Sequence, residues 1–342
     1  MTILLIIMNR LIDCITKNNS GNTPVWFMRQ AGRYLPEFMK IRKQNSDFIK
    51  LCLDSELAKE ITIQPVKRFD IDAAIIFSDI LMVPYGLGQN VKFKKGHGPL
   101  LEEMNPKKIM EVDDIEFTKK LKPVYVAIQK VKKEIKGKSL IGFVGAPWTL
   151  LLYMFNLESP KRSFNFDKIT NNKDLNDDLI EKLINIICLH IKNQVEAGAN
   201  VIQIFDSWAG LLPQEQLEKF CYKPTKKIVN FTKSLNIPVI CFPRGIKKKY
   251  AEFSNKVKPD CLSIDYEVDP LWVKEEINSV AIQGGLDPKT LLEKDEFIEK
   301  EVKKYLDIFR DRPYVFNLGH GVLPETNPEK IKFVTNLVRD FK

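Results

Sequence analysis

Arg29 and Arg33 stand four residues apart just after a short apolar run, Pro24 to Met28, within the stretch Thr23–Phe38. The run reads as a buried β-strand, and residues four apart in a turn of helix face the same way. Two planar guanidiniums then point at one place, with Gly32 keeping the backbone between them slim. Cations gathered at a strand end are costly unless an anion meets them, and the guanidinium fork fits a carboxylate bidentately. The chemistry implied is capture of an acidic ligand. The plain alternative is pairing with an acidic neighbour such as Glu37. Further on, Phe77-Ser-Asp79 sets a carboxylate straight after another apolar run, as a helix N-cap or as an acceptor in a cleft. Asp206, Ser207, Arg244, Asp265, Asp287 and His320 follow later apolar runs in the same manner.

The elements that must position these groups alternate along the whole chain. The strand candidates are Pro24–Met28, Ala73–Ser78, Leu140–Gly145, Val201–Phe205, Pro238–Phe242, Cys261–Ile264, Val280–Gly284 and Tyr314–Leu318. Helical patterns lie between them, among them Asp178–Glu196, Gln214–Leu235, Pro270–Asn278 and Glu296–Phe309. The longest connection, Pro84 to Lys138, carries its own helix and a Gly-rich loop at Lys95–Pro99. Apolar strands separated by helices predict a parallel sheet buried on both faces. Eight such units in 342 residues predict an α/β fold, a single-domain (β/α)8 TIM barrel over residues 23–342. Residues 1–22 are then an extension and lead-in helix, and Met8 is an alternative initiator. On such a barrel, chemistry sits at the C-terminal strand ends, where the polar residues above gather. A doubly wound sheet is the rival, but neither G-x-G-x-x-G nor G-x-x-x-x-G-K occurs.

Composition narrows the function classes. The chain is 44% apolar, yet no segment approaches the roughly 18 continuous apolar residues of a membrane span. The apolar start lacks a basic n-region and a cleavage site, so no secretory signal is read, and a cytoplasmic location is expected. Six cysteines are scattered without a C-x-x-C pair, as reduced thiols would be. The formal charge of +9 comes from lysines spread along the chain, including Lys247–Lys249, which read as solvated surface. No nucleic-acid-binding motif accompanies that charge.

Taken together, five motifs resemble the uroporphyrinogen decarboxylase family: Thr23–Phe38, Phe77–Asp79, Gly145–Tyr153, Phe205–Gly210 and Asn317–Pro324. The resemblance implies a homodimeric enzyme that converts the four acetate arms of uroporphyrinogen III to methyl groups, giving coproporphyrinogen III for haem. No metal or organic cofactor is implied, because a protonated pyrrole is itself the electron sink. By resemblance, substrate contacts fall to Arg29, Gln30, Ala31, Gly32, Arg33, Asp79, Tyr153, Ser207 and His320. Asp79 would accept the pyrrole N–H groups and stabilise the pyrrole cation. Arg29 is the implied proton donor; electrostatic positioning by Arg29 and Arg33 needs no such acidity. The chain departs from the family at Met154–Lys161, where many relatives carry a Gly-rich loop. His97 and His190 read as loop and helix residues.

Two rivals belong to other classes. A zinc-dependent cobalamin or thiol methyltransferase on the same barrel needs a His-x-Cys pair and a later Cys as ligands. Here Cys241 has Val239 two residues before it. A non-enzymatic basic barrel binding polyanions would treat Arg29 and Arg33 no differently from Lys247–Lys249.

Overall fold

Strand Val201–Asp206 shows why a parallel sheet forms here. Ile202 and Ile204 are buried outward among helices, while Val201 and Gln203 are buried on the opposite face. A strand dry on both sides needs apolar side chains in nearly every position, which the sequence provides. The computed structural model describes residues 9–17, 21–94, 98–155 and 177–341. Strands, in chain order, are β1 (Ala73–Ile75), β2 (Val91–Lys94), β3 (Gly98–Leu101), β4 (Ser139–Gly145), β5 (Val201–Asp206), β6 (Val239–Pro243), β7 (Cys261–Ile264), β8 (Ala281–Gly284) and β9 (Tyr314–Val315). Seven of them make a curled parallel sheet in the order β1-β4-β5-β6-β7-β8-β9, and β2 and β3 form a separate antiparallel hairpin.

The curl gives the sheet an inner face with its own core. Trp26, Ala73, Ile141, Val201, Ile240, Cys261, Ala281 and Val315 meet there, and the helix Arg10–Lys17 adds Leu11, Cys14 and Ile15. One step further along the strands the interior turns polar but stays dry. Trp26 Nε1 donates to Gln283 Oε1 at 2.9 Å, and Gln283 Nε2 donates to Gln203 Oε1 and Ser263 Oγ, each at 3.2 Å. A buried amide costs little when its hydrogen bonds are made, so this layer fixes orientation without opening a channel.

The expected first strand is the main difference. Pro24–Met28 joins the sheet through one parallel bridge, Val25 to Phe316, rather than a continuous ladder. The reason is that side chains replace the missing ladder. The Val25 N–H donates to Asp72 Oδ2 at 2.7 Å, the Phe27 N–H to Gln30 Oε1 at 3.1 Å and the Met28 N–H to Asn317 Oδ1 at 2.9 Å. Only the Trp26 N–H finds a strand carbonyl, that of Phe316. On the other flank, the Asp72 N–H donates to the Val25 carbonyl at 2.8 Å.

Smaller differences have local causes. The helix expected over Gln214–Leu235 is broken into a 3-10 turn, a π-turn at Glu218–Tyr222 and an α-helix from Lys223. Pro224 opens that last helix, since its missing N–H is tolerated only in a first turn. The Pro84–Lys138 connection holds the helix Asp114–Glu134 as expected, and Gly98 and Pro99 of the Gly-rich loop begin β3. His97, Met1–Met8 and most of the Met154–Lys161 departure lie outside the described residues.

Asp72 is the knot of this arrangement. Besides Val25, it meets Arg339 of the C-terminal helix at 2.9 Å and Arg10 of the first helix at 3.6 Å. Its side chain is only 9% exposed. Asp72→Ala should therefore cost about 2–4 kcal/mol, because the buried Val25 N–H loses its acceptor and Arg339 keeps only its contacts to Asp70. Lys227→Ala, which breaks an exposed pair with Glu181, should cost less than about 1 kcal/mol. Denaturation midpoints of the two variants give the comparison, and equal shifts would contradict it.

Candidate active site

Arg29 leaves the Pro24–Met28 segment with φ 59°, a left-handed conformation that is uncommon for a residue with a side chain. The next turns are tight: Gln30 N–H donates to Phe27 O and Leu35 N–H to Gly32 O, each at 3.0 Å, and a helix starts only at Pro36. Arg29 and Arg33 thus sit on successive turns, not on one turn of helix. A Cβ on Gly32 would lie 2.8 Å from the Arg29 carbonyl, so the slim backbone is required. Gly321 does the same from the far side, since a Cβ there would collide with the Arg29 side-chain stem.

Asp79 follows β1 with one oxygen committed. Its Oδ1 accepts from the Leu81 N–H at 2.8 Å, as a cap would. It is nevertheless only half-buried at the mouth, and its electrostatic partner is Arg29. Burial pushes its carboxyl up to about 6, against the opposing pull of the Leu81 N–H and the Arg29 charge. The bond to Leu81 fits the cap reading, and the other oxygen makes no hydrogen bond among the described residues.

The same field reaches three more groups. Tyr153 closes the helix Pro147–Met154, and its hydroxyl is raised above the usual range by burial, less a hydrogen bond from the Trp208 side chain. The two rings lie 6.5 Å apart. His320 is pushed down to about 3 by burial and by the charges of Arg29 and Arg244, so it is a neutral imidazole at pH 7. Arg29 is exposed by area, yet the cleft walls crowd it enough to lower its pKa, with Asp79 and Tyr153 opposing and Arg33 and Arg244 assisting. It stays a cation at neutral pH. Ser207 is partly exposed beside Trp208 at the end of β5.

Other expected residues sit elsewhere. Gln30 is fully buried, with Oε1 on the Phe27 N–H and Nε2 on the Ala73 carbonyl, so its side chain positions the turn and does not reach the mouth. Ala31 and Gly32 are half-buried in the turn itself. Asp206 accepts from Thr149 Oγ1 at 2.6 Å, and Thr149 in turn accepts from the Trp208 N–H. Asp265 accepts from the Gly245 N–H and the Tyr250 hydroxyl, and Asp287 caps the turn at Pro288. These three carboxylates hold loops. Trp208 was the residue missed: it lies inside a motif already singled out, but only the fold brings it to Tyr153.

Nine arginines lie among the described residues. Six bind a carboxylate or carbonyl: Arg10, Arg42, Arg68, Arg310, Arg312 and Arg339. Glu37, the neighbour that could have neutralised the mouth, pairs with Arg68 at 3.2 Å instead. Arg29, Arg33 and Arg244 have no such partner among the described residues. The mouth is a concentration of positive charge around one carboxylate, suited to a ligand with several acids.

The residues fit a zinc site poorly. Cys241 is buried on the outer face of the sheet and Cys261, one strand over, on the inner face. Among the described residues no three His, Cys, Asp or Glu side chains gather where they could hold a metal.

A family model, uroporphyrinogen decarboxylase (URO-D), matches residues 8–341. A protein named uroporphyrinogen decarboxylase from Rickettsia bellii is 42% identical over 337 residues, 97% of this chain and 99% of that protein. One of the same name from Rickettsia canadensis is 42% identical over 331 residues, covering 95% and 97%. Among solved structures, a methyltransferase from Methanosarcina mazei superposes with TM-score 0.78 at 16% identity, covering 97% of this chain and 98% of that one. A B12-independent methionine synthase from a Shewanella species gives TM-score 0.54 at 9% identity, over 83% and 85%. At such identities the structural likeness concerns the fold alone. The family match spans nearly the whole chain, and the arginine-rich mouth with Asp79 lies inside it: the chain belongs to the uroporphyrinogen decarboxylase family.

Proposed function

We propose that this chain decarboxylates the acetate arms of uroporphyrinogen III to methyl groups, giving coproporphyrinogen III in haem biosynthesis. The observation that carries the reading is Asp79 at the mouth, half-buried and electrostatically coupled to Arg29, among three arginines with no acid or carbonyl partner among the described residues. Arg29 and Arg33 hold substrate carboxylates. Tyr153, Ser207, His320 and the Ala31–Gly32 turn complete the contacts, and Gln30 acts through the backbone it fixes.

The chemistry needs an electron sink. A proton adds to a pyrrole ring carbon beside the acetate-bearing carbon, and the ring becomes cationic. The bond to the carboxylate breaks, CO2 leaves, and its electron pair neutralises the ring as an exocyclic methylene. A proton then reaches that methylene and the ring carbon loses its own, restoring the pyrrole. Asp79 stabilises the cationic stage and accepts the ring N–H groups with the oxygen not given to Leu81. The lowered Arg29 pKa runs in the direction a proton donor needs.

The architecture is read as a closed barrel over residues 23–342, with 1–22 leading in. Support comes from the hydrogen bonds that Pro24–Met28 makes to Phe316 on one side and to Asp72 on the other. Among the described residues no helix is long and apolar enough to cross a membrane; the cytoplasmic location is carried over from the sequence reading. By family resemblance the enzyme pairs as a homodimer; sedimentation at micromolar concentration should give twice the chain mass, and a monomer would refute the pairing.

Incubation of the protein with uroporphyrinogen III, with no additive, should yield coproporphyrinogen III by chromatography of the carboxyl count. Activity lost to a chelator and restored by zinc would instead favour metal-dependent chemistry.

Asp79→Asn keeps the shape and one acceptor but removes the charge. Its kcat should fall about a hundredfold, on the order of 3 kcal/mol, with KM changed far less. In the parent, kcat/KM should rise with pH up to about 6, where Asp79 ionises, and the variant should lose that limb. The sign for stability is opposite. Because the folded pKa lies above the usual 3.8, the native state binds the extra proton between about 4 and 6, and Asp79 costs stability as pH rises through that window. A variant that turns over within about threefold of the parent would reduce Asp79 to a cap.

A further inference from the structure

Arg244 has a backbone held on every side and a guanidinium with no hydrogen-bond or ion-pair partner among the described residues. Its N–H donates to the Asp206 carbonyl at 3.1 Å, and its own carbonyl accepts from the Gly210 N–H at 2.9 Å. The neighbouring Gly245 N–H donates to Asp265 Oδ2 at 2.7 Å, and the Tyr250 hydroxyl donates to the same oxygen at 2.8 Å. Gly245 has φ 83°, and a Cβ on Gly210 would lie 2.5 Å from the Gly245 carbonyl oxygen. Two loops therefore cross backbone against backbone beside Arg244. The residue is half-buried, and Asp265, the acid nearest in this network, is spent on Gly245 and Tyr250. A cation set on so rigid a base is organised in advance for an external anion.

Its place in the sheet says which anion. Counting from Pro24–Met28 through β9, β8 and β7, β6 is the fourth strand; counting the other way through β1, β4 and β5, it is again the fourth. Arg244, just after β6, therefore stands across the mouth from Arg29 and Arg33. His320 lies in the field of both sides, since Arg29 and Arg244 each lower it.

We propose that Arg244 is a second carboxylate anchor, holding an acidic arm on the rim of the macrocycle opposite the arm bound by Arg29 and Arg33. The proposal rests on the decarboxylase reading for the identity of the ring. A polycarboxylate gripped at one edge can pivot; gripped at two opposite edges it has one rotational setting, with a single acetate presented to Asp79. The arm on Arg244 does not react, so its contact is equally strong in ground and transition states and lowers KM without raising kcat.

The test is steady-state kinetics of full-length Arg244→Gln and Arg244→Lys with uroporphyrinogen III, alongside binding of uroporphyrin, an octacarboxylate, followed by its fluorescence. Arg244→Gln should raise KM about tenfold with kcat within about threefold of the parent, and weaken uroporphyrin binding to a similar degree. Arg244→Lys should fall between, because it keeps the charge and loses the fork. Partly decarboxylated intermediates should escape more often from both variants. KM and uroporphyrin affinity within about twofold of the parent for Arg244→Gln, or a loss confined to kcat, would overturn the anchor. If Arg244→Gln does not fold, parent-like KM and affinity in Arg244→Lys would overturn it equally. A parent protein inert toward uroporphyrinogen would sink the decarboxylase reading, while the binding comparison would still decide the anchor.

Discussion

Arg29 can occupy the mouth because the peptide groups before it are satisfied without a full strand ladder. Pro24 has no N–H to satisfy, and Val25, Phe27 and Met28 give theirs to Asp72, Gln30 and Asn317. An orphaned buried N–H costs about 1–3 kcal/mol, so three such groups left open would be enough to release the segment. The side chains that prevent this are themselves anchored: Asp72 by two arginines from opposite ends of the chain, and Gln30 by the carbonyl of Ala73. The position of the leading arginine is thus set by polar groups that never meet a ligand.

The electrostatics of the mouth follow from the same economy of partners. Every other described arginine has an acid or a carbonyl, while the acids nearest the site are occupied with loops. Asp79 gives one oxygen to the Leu81 N–H and keeps the other at the half-buried mouth, and burial rather than repulsion raises its pKa. His320 is driven in the other direction by burial and two cations. One carboxylate near neutrality, one imidazole kept neutral and three fixed positive charges form a set whose protonation states are separated by environment.

Much of this was legible in the sequence, because two-sided strands and glycine-flanked polar residues are local signals. The runs at Val201–Phe205 and Cys261–Ile264 differ from the observed strands by one residue or none. Legibility failed where a long-range partner decides. Nothing near Pro24–Met28 tells that Asp72 and Asn317 will take its N–H groups, so an irregular segment read as a strand. Gln30 sits in a functional motif, and only the fold reveals that both ends of its amide face backbone. Asp206 and Asp265 had the same strand-end signature as Asp79; their hydroxyl and amide partners come from other units. Trp208 adjoins Ser207 in sequence, while the hydroxyl it serves arrives on a different helix.

The thiols record the layered construction in another way. Cys14 and Cys261 belong to the inner core, and Cys52, Cys221 and Cys241 to the outer one, all buried with pKa values raised by that burial. An alkylating reagent attacks thiolates, so none of the five reacts appreciably while its layer is closed. Each cysteine is therefore a clock for the opening of one shell, and the order in which mass accumulates under partial unfolding separates the loosening of the helical jacket from the parting of the strands.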